Sequence, residues 1–67
     1  MGEHEVLAVV SSRWRLPKDI AASMDSPPGK TRMAVLLGRL VEWGFLERQA
    51  RPLRQGGRLF FYRRRTL

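Results

Sequence analysis

Cysteine and asparagine are absent from this 67-residue chain, and histidine occurs once. Without cysteine there is no disulfide framework and no thiolate zinc site. His4 alone supplies too few donors for a metal centre, and with Glu3 and Glu5 it reads as an exposed chain end. No metal and no cofactor is therefore expected. With one histidine and no thiol, no nucleophile–base–acid set can be assembled. Long apolar runs are missing too: stretches such as Ala34–Leu37 fall far short of the ~20 residues a membrane helix needs. The opening Met-Gly-Glu-His-Glu is acidic, which does not suit a secretory signal. Val6 stands where a myristoylation motif requires Ser or Thr. These absences lead us to expect a soluble cytoplasmic protein that is not an enzyme, with no membrane association and no small-molecule substrate. At this length one domain, residues 1–67, is expected.

Acidic residues are few, and their distribution is uneven. The chain carries 13 Lys and Arg against 6 Asp and Glu, a formal charge of +7. Residues 1–29 hold three basic and four acidic side chains, a net of −1. Residues 30–67 hold ten basic side chains against Glu42 and Glu47, a net of +8. A field so concentrated attracts polyanions and speeds their encounter. Arginine supplies eleven of the thirteen cations, a bias that a GC-rich genome produces as readily as function does.

The pattern along the chain predicts six pieces. Residues 3–12 read as a helix with Val6, Leu7, Val9 and Val10 on its apolar face. Arg13–Leu16 alternate charged and apolar residues and suit a short strand, with Trp14 and Leu16 inward. Pro17 to about Met24 reads as a second helix, opened by a proline whose missing N–H is not needed in a first turn. Ile20, Ala21 and Met24 form its buried side. Asp25-Ser26-Pro27-Pro28-Gly29 breaks the chain. A third helix is expected from about Pro28 to Trp43, with Met33, Leu37, Leu40 and Val41 as its stripe and Gly44 as a left-handed stop. Phe45–Arg51 and Arg58–Arg64 read as two strands joined by Pro52–Gly57. The expected class is α+β. Trp14, Trp43, Phe45 and Tyr62 are assigned to the core rather than to base stacking, because a small domain needs large side chains to close.

This order, together with Leu40–Arg48 (L-V-E-W-G-F-L-E-R), resembles the winged helix-turn-helix family. That passage is similar to the junction of recognition helix and wing in MarR-type and ArsR-type bacterial repressors. Asp19–Ala22 (D-I-A-A) is similar to the start of their second helix. Gly57–Tyr62 is similar to the returning strand of the wing, a β-hairpin. Two departures stand out: the Asp25–Gly29 turn is long, and Arg63–Arg65 occupy positions that are usually apolar.

The resemblance implies a recognition helix whose N-terminal residues face DNA. Carried over by position, Lys30, Thr31 and Arg32 come first, and Arg39 follows about two turns on, facing a phosphate. The residues agree independently: a helix N-terminus favours phosphate, and Arg32 can pair bidentately with guanine. Arg51, Arg54 and Arg58 surround a Gly-Gly tip suited to a DNA backbone or minor groove. Gly29-Lys30-Thr31 fails as a phosphate-binding P-loop, because Met24 stands where that motif requires glycine.

The expected function is a sequence-specific double-stranded DNA-binding protein, a small transcriptional regulator of the phage or plasmid control type. Two alternatives stay open: a winged-helix module that binds protein, and an RNA or single-strand binder. Ala34–Leu37 are apolar around most of a helical turn. Val35 and Leu36 thus have three destinations: thymine methyls, the underside of the hairpin, or a partner chain in a homodimer.

Overall fold

Three helices and one antiparallel hairpin form the α+β fold of the computed structural model, which describes residues 2–66. The helices are α1 (Glu3–Val9), α2 (Pro17–Ala22) and α3 (Lys30–Glu42); the strands are β1 (Leu46–Pro52) and β2 (Arg58–Arg64). No helix among the described residues is long and apolar enough to cross a membrane.

The start of α1 carries Glu3 and Glu5, which suit the positive end of a helix dipole. The helix ends at Val9, short of the expected residue 12, because Val10 turns extended. The β-branched pair Val9-Val10 favours that turn, and Ser11 offers the chain other partners. The Ser11 hydroxyl accepts from the Arg13 amide at 3.2 Å, and its carbonyl accepts from the Arg64 amide at 2.7 Å. The freed end of α1 is closed from far along the chain: the Arg64 guanidinium donates to the carbonyls of Leu7 and Val10.

The short strand expected at Arg13–Leu16 is reduced to a single antiparallel bridge, Arg15 to Tyr62. Their amides and carbonyls exchange bonds of 2.9 and 2.8 Å. Pairing stops there because Leu16 leads directly into Pro17, which opens α2 and has no N–H to donate. The α2 helix ends at Ala22 rather than near Met24, its last turn tightened by bonds from Ser23 to Ile20 and from Met24 to Ala21.

The long helix α3 starts at Lys30, two residues after the expected Pro28. Gly29 is extended, and its carbonyl receives the Met33 amide at 2.8 Å. At the other end Gly44 adopts φ 84. Its amide bonds to Val41 and that of Phe45 to Leu40, the paired bonds of a Schellman stop. The chain then enters β1, which pairs with β2 from Leu46↔Arg64 to Pro52↔Arg58. The strand β2 runs the full expected length, Arg58–Arg64.

The core draws Val6 and Val10 from α1, Ile20 from α2, Met33, Leu36, Leu37 and Leu40 from α3, and Leu46 and Tyr62 from the hairpin. Leu36 takes the place in the α3 stripe that was expected for Val41, which is half-buried. Burying each such side chain contributes about 1.5–3 kcal/mol. Of the four aromatics assigned to the core, only Tyr62 is buried there. Trp43 and Phe45 are 56% and 50% exposed. Phe45 alternates with Leu46, which points inward, and Trp43 follows the last buried turn of α3. Trp14 is half-buried, with the Arg63 guanidinium 4.4 Å from its ring centre.

Candidate nucleic-acid interface

Lys30, Thr31 and Arg32 make the first turn of α3 and are exposed. Their N–H groups have no carbonyl one turn earlier within the helix. A helix advances 100° per residue, so Thr31, Val35, Gly38 and Glu42 fall on the line opposite the buried stripe. Val35 is 48% exposed, and a Cβ built on Gly38 would meet nothing within 4 Å. The middle of the outer face is therefore smooth. Leu36 takes none of the three expected destinations but enters the core, while Val35 faces out.

Arg32 and Arg39 are seven residues apart and share one flank of α3. That flank meets the start of α1, where the Arg39 guanidinium lies 3.1 Å from the Glu3 carboxylate. A backbone hydrogen bond in the first turn of α1 holds the Glu3 carboxyl below its ordinary pKa. The bond from Arg39 adds to this, and the nearby charge of Arg32 contributes in the same direction. Arg39, expected to face a phosphate, is thus already engaged by a carboxylate.

On the other flank a cleft of ≈ 640 Å³ joins the starts of α2 and α3 to the hairpin. Leu16, Pro17, Ala21, Met33 and Leu59 line it, and both lysines of the chain, Lys18 and Lys30, are on its wall. Lys18 was not among the sequence candidates. Its signal was its place as the second residue of a helix opened by Pro17, but only the folded chain brings it beside Lys30.

The far end of the hairpin stands clear of the core. Every residue from Arg48 to Phe60 is exposed. This arm carries Arg48, Arg51, Arg54 and Arg58 and no acidic residue. Arg51 and Arg58 sit on adjacent rungs of the ladder, and Arg54 lies in the turn. The Arg51 guanidinium is 5.0 Å from the centre of the Phe61 ring, and that of Arg48 is 5.4 Å from Phe60. Such stacking limits the wandering of long side chains in a hairpin that is otherwise marginal alone. Arg48 was also missed from sequence, because its pairing with Phe60 depends on the register. At the tip, Gly56 and Gly57 have φ of 95 and 82, which side-chain-bearing residues rarely adopt.

The arginines after the arm serve the fold. Arg63 bonds Glu47 at 3.0 Å and covers Trp14, while Arg64 closes α1. The Arg65 amide donates to the Phe45 carbonyl at 3.0 Å. Comparison of the chain with protein-family models, curated proteins and solved structures gives no significant match.

Proposed function

We propose that this protein binds double-stranded DNA sequence-specifically, as a small transcriptional regulator of winged helix-turn-helix type. The Arg15–Tyr62 bridge stands where that architecture has its first short strand. In this reading α3 enters the major groove and the hairpin is the wing, on the backbone or in a minor groove. Lys30, Thr31 and Arg32 meet bases and the nearest phosphates. Arg51, Arg54 and Arg58, joined by Lys18 and Arg48, hold the backbone.

The observation that carries the proposal is the placement of exposed cations: Lys30 and Arg32 at the start of α3, Lys18 across an apolar cleft from Lys30, and four arginines with no acid on the arm. Gly38 supports it. Glycine in a helix interior costs roughly 0.5–1 kcal/mol relative to alanine, and no packing inside the protein requires it here. A bare outer face lets a helix sit close to a groove floor, and the exposed Val35 suits a thymine methyl.

Binding measured by anisotropy over a range of salt, on random duplex DNA, single-stranded DNA and RNA, tests the reading. With about six phosphates neutralised, log K on duplex falls with log salt at a slope near −5. Tighter binding to a selected duplex than to random duplex is expected. A flat salt response or a preference for single strands removes the proposal.

A further inference from the structure

The arm presents an apolar side chain where its charge would bring it against a polyanion. Leu53 opens the turn between β1 and β2, is 44% exposed and lies outside the core. Pro52 precedes it, and Arg51, Arg54 and Arg58 surround it in sequence and on the ladder. Both backbone groups of Leu53 are committed: its amide donates to the Gly57 carbonyl at 3.1 Å, and its carbonyl accepts from the Gly56 amide at 3.2 Å. The side chain therefore projects from a fixed point of the turn instead of from a floppy loop.

Among the exposed apolar side chains of the described residues, Leu53 is the one in the hairpin turn itself. Arg51, Arg54 and Arg58, all within five positions of Leu53, make a purely apolar protein partner a poor fit, since docking would strip water from cations. A duplex minor groove suits both features. Its negative potential draws the guanidinium groups, and its floor gives access to the apolar faces between stacked base pairs. Leucine and proline are among the side chains that proteins drive between base steps, unstacking them and kinking the duplex by about 20–90°.

Resting on the duplex-DNA reading above, we infer that Leu53, backed by Pro52, is a wedge that inserts between base pairs from the minor groove and bends the DNA. The arginines supply the attraction that offsets the unstacking, and the fixed turn avoids the cost of ordering a loop on binding. Pyrimidine–purine steps, the easiest to unstack, are the preferred points of insertion. The arm thereby adds an activity, bending, to whatever base reading α3 performs.

The test uses the full chain and a duplex selected for binding, end-labelled for energy transfer, with 2-aminopurine at successive steps. The wild-type protein should shorten the end-to-end distance and raise 2-aminopurine fluorescence at one step. Leu53→Ala changes no charge and leaves the turn's backbone bonds in place. It should bind up to about tenfold more weakly with an unchanged salt slope, and lose both the bend and the fluorescence rise. Arg54→Ala should keep the bend and lower the salt slope by about one. If the wild type binds duplex without bending it, or Leu53→Ala bends it equally, the wedge is overturned while the duplex reading stands. If no duplex binds at low salt, both fall together.

Discussion

Arg64 and Arg54 belong to the same hairpin but live in different surroundings. Arg64 lies on the carbonyls that end α1, next to the buried Tyr62 and Leu46. Arg54 stands in a turn flanked on both sides by exposed residues. The same division runs through the molecule. In the body, Arg39 meets Glu3, Arg63 meets Glu47 and Arg64 meets backbone oxygens. In the arm, charge accumulates with no carboxylate in the segment. Arginine is a staple in one region and an unneutralised positive field in the other. Total charge therefore overstates what a polyanion meets, and the arm with the two cleft lysines is the better measure.

The sharpest test of the body is Leu40→Ala. Leu40 is 1% exposed in the middle of the core, and truncating a buried leucine costs about 2–5 kcal/mol. A domain this small holds about 3–5 kcal/mol in all, so most molecules should lose their helical circular dichroism at physiological temperature. Retention of a wild-type melting curve would show that α3 does not face the core as described.

The contrast between arginines is tested directly by Arg64→Ala and Arg54→Ala. Charge-assisted hydrogen bonds to carbonyls are worth about 1.5–3 kcal/mol, and partial exposure lowers this to about 1–2. Arg64→Ala should destabilise by that amount, while Arg54→Ala should stay within about 0.5 kcal/mol of wild type in urea. On duplex DNA the order reverses, with Arg54→Ala the one that reduces the salt slope. Equal stability losses in the two variants would erase the division.

Gly38→Ala sharpens the comparison on α3. The added methyl meets open space, so stability should rise by about 0.5–1 kcal/mol. Duplex affinity should fall, since bulk then stands on the face proposed to approach the groove. A variant both more stable and equally tight would move the DNA face elsewhere.

Arg39→Ala should have a small, pH-dependent effect on stability. The Glu3 carboxyl has a lowered pKa in the folded chain, so its stabilising contribution is full above its unfolded-state pKa. The contribution is lost as pH falls through the folded value. The difference in Tm between wild type and Arg39→Ala should accordingly be present at neutral pH and vanish in acid. A difference that grows in acid would contradict the Glu3 pairing.

The features readable from sequence were those with local causes. Pro17 opening α2, Gly44 stopping α3 and the Gly56-Gly57 tip each follow from what one residue permits its own backbone, and the exposed position of Lys30, Thr31, Arg51, Arg54 and Arg58 follows from those elements. What escaped was set by distant partners. The early end of α1 goes with Arg64, whose guanidinium reaches the Leu7 and Val10 carbonyls from the far end of the chain. Leu36 and Val41 differ by half a turn in their claim on the core, and the elements packed around α3 decide between them. Trp43 and Phe45 looked buried by size, but nine residues already fill the core. Arg39 looked unengaged because Glu3 is 36 positions away.

The bond from Arg64 to Leu7 spans 57 positions of chain, and that to Val10 spans 54. Closing so long a loop is entropically unfavourable, so it follows other favourable contacts rather than leading them. On the ribosome α1 emerges before β2 and has no closed end until β2 has cleared the exit tunnel. The basic arm leaves before Tyr62 and Arg64, which fix its root. The Arg64 bonds are thus among the last contacts within reach of the growing chain, and until they form the end of α1 stays frayed.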